Sequence, residues 1–275
     1  MITKAPEQSY VIGPIRIPQS VETPSRQDNV RFNWFVAALF VFGALAALPF
    51  DVRLAEFFMS DPLPGELRSF IHKSEFFGHA YGILGIVFTI YLVAEPLRRH
   101  LPRLLCTAFA AGLACDVVKT LFHRVRPVDF SFAAEEATFK GISFLHAETL
   151  GQVFDSQFHS FPSAHTATAV AFAIALGQLF PKAGRWFLFL AGLCAVSRFD
   201  GGAHFVSDTF VGALLGYSVA FWMLNSRRVD EWFNALEHRV FNSFHATDVE
   251  RDYFREAKDE ARKSRLNPGL QRTHV

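Results

Sequence analysis

The sequence is short of charge and of cysteine, and each shortage removes a class of protein. Only 19% of residues are charged and the formal net charge is +1. No global field would therefore draw nucleic acid, and no basic stripe with interleaved aromatics supplies a local one. The three cysteines, Cys106, Cys115 and Cys194, each lie inside an apolar run. An odd, scattered set gives no disulfide framework and no metal-type spacing, so they read as small packing residues. His146, Asp155 and His159 share one segment but lack ligand spacing, which argues against a zinc site. Residues 1–31 contain no short apolar core followed by a small-residue cleavage site, so no cleaved signal peptide is expected.

What the sequence has in quantity is apolar surface. Hydrophobic residues make up 51% of the chain and Phe alone occurs 32 times. The pattern predicts an all-α, integral membrane bundle of six helices, because apolar runs approach the roughly 20 residues that span a hydrocarbon core. The runs are Asn33 to Phe50, Phe76 to Ala94, Leu104 to His123, Ser163 to Phe180, Trp186 to Ser197 and Phe205 to Leu224. Gly78, Gly82 and Gly85 suggest a close-packing face on the second. Three regions follow: a polar tail over 1–31, a membrane domain over 32–225 and a charged, amphipathic tail over 226–275. In the last, Phe233, Leu236, Val240, Phe241 and Phe244 fall at helical spacing. Between the first two runs, residues 51–73 are mixed and read as an interfacial segment.

Six spans fix which helix ends share a side. Lys4, Arg16, Arg26 and Arg31 of the tail, Arg98, Arg99 and Arg103, Lys182 and Arg185, and Arg227 and Arg228 gather on one side with Trp34, Trp186 and Trp222. The positive-inside rule makes that side cytoplasmic, with both termini, although Arg53, Arg68 and Lys73 lie opposite. The polar turn between the last two runs, Ser197 to Asp208, then faces the extracytoplasmic side of an inner or cell membrane. Within it Gly201-Gly202 should reverse the chain. Arg198 would close one helix while His204 opens the next.

Asp208 falls one turn after His204, a spacing that lets a carboxylate hold one ring nitrogen and leave the other free to attack. Lys119 and Arg126 are seven apart, which on a continuous helix returns both cations to one face. Phe161-Pro162-Ser163-Ala164-His165 opens the fourth run, where free backbone N–H groups favour an anion. Ser163 either caps that helix or donates to a phosphate oxygen. Two histidines at facing helix starts can divide phosphoryl transfer, one attacking phosphorus and the other protonating the leaving oxygen. Lys119, Arg126 and Arg198 would neutralise the oxygens as charge spreads, so no metal ion and no cofactor is expected. Asp116 reads as an ion-pair partner of Lys119, His123 and Arg124 lie close enough to border the site, and His79, on the same side, reads as a packing residue more readily than as a contact to a head group.

These residues carry a resemblance. Lys119 with six residues before Arg126-Pro127, then Pro162-Ser163-Ala164-His165, then Ser197-Arg198 with five residues before His204 and three more before Asp208 resembles the three-part signature of the type 2 phosphatidic acid phosphatase (PAP2) and vanadium haloperoxidase superfamily. The likeness covers about residues 76–225. It implies metal-independent phosphatase chemistry through a phosphohistidine, with His204 as nucleophile, Asp208 as its orienter and His165 as general acid. The phosphate cradle it implies is Lys119, Arg126, Ser163 and Arg198 with backbone amides around Ala164. The family usually has Gly at the position of Ala164, a substitution harmless unless that residue needs a positive φ. The expected substrate is a phosphorylated lipid: phosphatidic acid, phosphatidylglycerol phosphate, a polyprenyl diphosphate or a glycolipid phosphate. A phosphotransferase using the same intermediate and a non-catalytic lipid- or anion-binding membrane protein are the alternatives.

Overall fold

The computed structural model describes residues 32–132, 137–142 and 156–235. The tail over 1–31, His146, Asp155 and the amphipathic pattern beyond Ala235 lie outside the described residues. Helix α1, Trp34–Ala47, begins where the Asn33 side chain accepts from the Phe35 N–H at 3.0 Å. A 3-10 turn at Leu48–Phe50 passes the chain into α2, Asp51–Met59. Two short helices thus occupy the mixed segment, α2 and α3 (Gly65–Ser74), followed by a 3-10 turn at Glu75–Gly78 and α4 (Ala80–Val93). Next come α5 (Leu101–Lys119), α6 (Ala164–Leu179), α7 (Gly184–Asp200) and α8 (Val206–Asn225), and the described residues end in helix over 227–235.

The all-helical expectation needs one amendment. After α5 the chain forms β1 (Phe122–Arg124), paired antiparallel with β2 (Phe139–Ile142). Helix α5 therefore ends at Lys119, and Arg126 is extended, with φ −74° and ψ 149°. Pro127 disfavours the helical region for the residue before it, and the Arg126 N–H is spent on the Gln157 carbonyl. Lys119 and Arg126 do not share a helical face; the strand carries the second cation to the site.

Helix α6 is the hub, packed against α5, α7 and α8 and buried over most of its length. Close approach is bought with small residues: a Cβ on Gly212 or Gly216 of α8 would collide with the carbonyls of Ser163 and Ala167, and one on Gly112 of α5 would meet Thr168 Oγ1 at 2.7 Å. Gly78 presses its turn onto the His165 carbonyl in the same way, whereas Gly85 faces open space.

Among the described residues three helical stretches can cross a membrane by length and hydropathy, Trp34–Met59, Glu95–Lys119 and Val206–Asn225. The pair Gly65–Gly78 and Ala80–Val93, bent by 70°, makes a fourth if counted as one span. The expected count of six exceeds this, because α6 and α7 are shorter and α7 carries Arg185, Arg198 and Asp200. The outer surface is apolar to an extent that water would not tolerate: Trp34 is 77% exposed, Tyr81 72% and Phe42 70%, with Phe35, Phe88, Leu113 and Phe189 in the same belt. The chain is thus a membrane protein by its surface as well as its composition.

Candidate active site

The bundle has two distinguishable ends. At one, Asn33 donates to the Tyr217 hydroxyl and Arg103 pairs with Asp230, so the start of α1, the start of α5 and the end of α8 lie together. At the other, the end of α1 meets the start of α8, and every residue of the sequence motifs is found there or next to it.

Helix α7 stops at Asp200, Gly201 caps it, and Gly202 takes φ +68°, where a side chain would be strained. The chain then folds back so that the N–H groups of Ala203 and His204 both donate to the Arg198 carbonyl, at 3.1 and 3.2 Å. This reversal sets the imidazole of His204 beside the helix end that bears Arg198. The ring is buried, and its Nδ1 lies 2.5 Å from the Ser160 carbonyl. A carbonyl can only accept, so Nδ1 carries the proton and the Nε2 lone pair is left unprotonated.

Asp208 does not take the place expected for it. Its nearer oxygen is 4.0 Å from His204 Nδ1, too far for a hydrogen bond. The carboxylate accepts instead from Ser160 Oγ at 2.6 Å, from the Phe205 N–H at 2.9 Å and from Arg124. Ser160 thus links the two: Asp208 fixes its hydroxyl and its carbonyl fixes the ring. Behind them Arg124 is fully buried, with Nη2 2.6 Å from Asp51 and Nη1 on both Asp208 and Ser207 Oγ. Phe139 and Phe205 flank its guanidinium at 4.4 and 4.3 Å from their ring centroids. Asp51 also accepts the N–H and hydroxyl of Ser207.

Three cations gather near His204. Arg198, Lys119 and Arg126 lie within electrostatic range of both His204 and His165. Lys119 pairs with Asp116 at 3.2 Å, as its position one turn away suggested. The Nε–H groups of Arg126 and Arg198 are both buried and find no acceptor among the described residues. Burial, and then the nearby Arg198, lowers the affinity of Arg126 for its proton, which a bound anion would offset. Burial first, and then Arg198 and Lys119, holds the His204 imidazole well below the ordinary value of 6.5, so the ring is neutral near pH 7.

Ser163 is buried, and its hydroxyl caps α6, bonded to the Thr166 hydroxyl at 3.0 Å and N–H at 3.5 Å. Ala164 is the first helical residue and Asp61 is the one non-glycine with positive φ among the described residues, so an alanine there meets no backbone penalty. His165 follows, with Nε2 3.6 Å from Glu75 and its ring 5.4 Å from that of His79. Glu75 also holds Arg198 Nη1 at 2.5 Å. The ring of His123 lies 4.9 Å from that of Phe158, tilted by 41°. Sequence reasoning missed Asp51, Glu75, Ser160 and Ser207; an acid ending an apolar run, as Asp51 does, is the one signal that could have marked any of them.

Residues 99–232 match the model of the PAP2 superfamily. A lipid A 1-phosphatase of Rhizobium johnstonii is 32% identical over 135 residues, 49% of this chain and 45% of that one. The match spans less than half the length of the curated relatives. Among solved structures, Aquifex aeolicus LpxE is 20% identical with a TM-score of 0.46, covering 62% of this chain and 92% of that one. A transmembrane PAP2 type phosphatidylglycerolphosphate phosphatase from Bacillus subtilis is 20% identical with a TM-score of 0.47, covering 70% and 92%. Lys119, Arg126, Ser163, Ala164, His165, Arg198, His204 and Asp208 all fall within the segment that matches the PAP2 superfamily.

Proposed function

We propose that the protein is a membrane phosphatase that removes phosphate from a phosphorylated lipid through a phosphohistidine on His204. One observation carries this reading: two imidazoles lie within reach of the same three cations, two of which bury an N–H without an acceptor. His204 Nε2 attacks phosphorus and the bond to the leaving oxygen breaks, while His165 gives that oxygen a proton. His165 then takes a proton from water, whose oxygen attacks the phosphohistidine and releases inorganic phosphate and the free ring. Lys119, Arg126 and Arg198 balance the charge on the transferring group throughout, with backbone amides at the start of α6.

The apolar belt around the bundle favours a substrate whose tail stays in lipid while its head enters the site from the bilayer. The lipid A 1-phosphatase relatives make a glycolipid phosphate the first compound to try, ahead of phosphatidic acid, phosphatidylglycerol phosphate and polyprenyl diphosphate. In this reading α6 and α7 complete a six-helix bundle, the site opens outside the cytoplasm and both termini lie inside it. Release of phosphate from that lipid panel by the purified protein in detergent tests the proposal. His204→Ala and Arg198→Ala should lose turnover, and His165→Ala should fall by about 10²–10⁴-fold, the usual share of a general acid. Full activity in His204→Ala would end it.

A further inference from the structure

Glu75 is an anion among the groups that a phosphate would use. Its Oε1 lies 2.5 Å from Arg198 Nη1 and 3.6 Å from His165 Nε2, so one carboxylate oxygen engages a cradle cation and the acid imidazole together. It comes from the turn after α3, outside residues 99–232, and so belongs to no part of the family match. The turn is fixed in place: Gly78 abuts the His165 carbonyl and the Cys194 sulfur, with a built Cβ at 2.5 and 2.6 Å. The Cys194 thiol meets the Glu75 carbonyl at 3.8 Å. With the turn packed in this way, movement is easiest for the Glu75 side chain, which is 36% exposed.

This contact differs from the pair between Asp116 and Lys119. That pair joins neighbours on one helix, and Asp116 points largely into solvent at 62% exposure. Glu75 reaches across from a separate element to Arg198, whose side chain is only 12% exposed. A phosphoryl group that takes up the unpaired Nε–H of Arg198 would bring a second anion beside this carboxylate, and their repulsion favours displacing the carboxylate from Nη1.

Resting on the phosphatase reading, we infer that Glu75 is a resident counter-anion of the phosphate cradle: substrate displaces it from Arg198, and its return helps expel inorganic phosphate after hydrolysis. Glu75 therefore sets how tightly the site holds any tetrahedral anion. The cost of displacing a partly exposed ion pair is modest, and its removal should tighten anion binding roughly fivefold.

The test uses inorganic phosphate itself, titrated calorimetrically into the full-length protein in detergent, beside its inhibition constant and KM in the lipid assay. Glu75→Gln should bind phosphate about fivefold more tightly, with KM and the inhibition constant falling together. Glu75→Asp should stay near wild type, and Arg198→Ala should lose the binding. Unchanged thermal midpoints show that the variants remain folded. Phosphate binding that is unaltered or weaker in Glu75→Gln, in a wild-type enzyme that turns over, overturns this inference and leaves the phosphatase reading standing. Failure of both proteins to bind phosphate and of wild type to release it overturns both.

Discussion

At the scale of residues, the buried triad of Asp51, Arg124 and Asp208 bears on stability before it bears on chemistry. Replacing Arg124 by Met leaves two carboxylates in an apolar setting without their cation, at a cost of about 3–5 kcal/mol. Thermal unfolding in detergent should show a midpoint lower by roughly 10 °C; an unchanged midpoint would mean that both carboxylates find other partners. His204 adds a dependence on pH. The unfolded chain takes up a proton near 6.5 and the buried ring does not, so stability should fall as pH drops below about 6.5 and stay level above it. His204→Asn, whose amide can still donate to the Ser160 carbonyl, should flatten that slope, as midpoints measured from pH 5 to 8 would reveal. The cations and imidazoles that the structure brings together were legible because they stand out against apolar runs. Ser160 and Ser207 were not, since a serine in a loop or at a helix start is common and gains its meaning from folding alone.

At the scale of elements, the helix starts and stops were legible and the connection after α5 was not. Asn33, Ser163 and Gly201-Gly202 mark their boundaries by capping and turn chemistry that any reader of the chain can apply. The strand pair β1 and β2 escaped notice because three or four residues joined across a loop leave no periodicity to read. Removing the α6 cap with Ser163→Ala should cost about 1 kcal/mol, seen as a lower unfolding midpoint. Ala164→Gly, which restores the residue usual in the family, should leave turnover within about twofold, because nothing in the backbone there calls for a glycine. A large gain in kcat would show instead that the amide at this position needs more freedom than a helix allows.

At the scale of the molecule, two ends of opposite character face each other along the bundle. One gathers Arg98, Arg99, Arg103 and Arg227, and the other gathers the site; the first is the cytoplasmic end on the proposed orientation. In a cysteine-free background, a membrane-impermeant maleimide added to intact spheroplasts should label Lys73→Cys and spare Lys182→Cys. The reverse pattern would put the site inside the cell. The membrane class was plain from composition, but the number of spans was not. Hydropathy reads one helix at a time, whereas α6 is sheathed by its neighbours and can be short without meeting lipid.

The hydrogen bonds between Asp51 and Ser207 join positions 156 apart in the chain. During synthesis the first partner leaves the ribosome long before the second exists. Until the last long helix docks, the early aspartate has no serine to grip, Arg124 lacks half of its counter-charge and the loop bearing His204 has nothing to anchor it. On the proposed reading, the site is therefore completed only when the last long helix has been made and has docked.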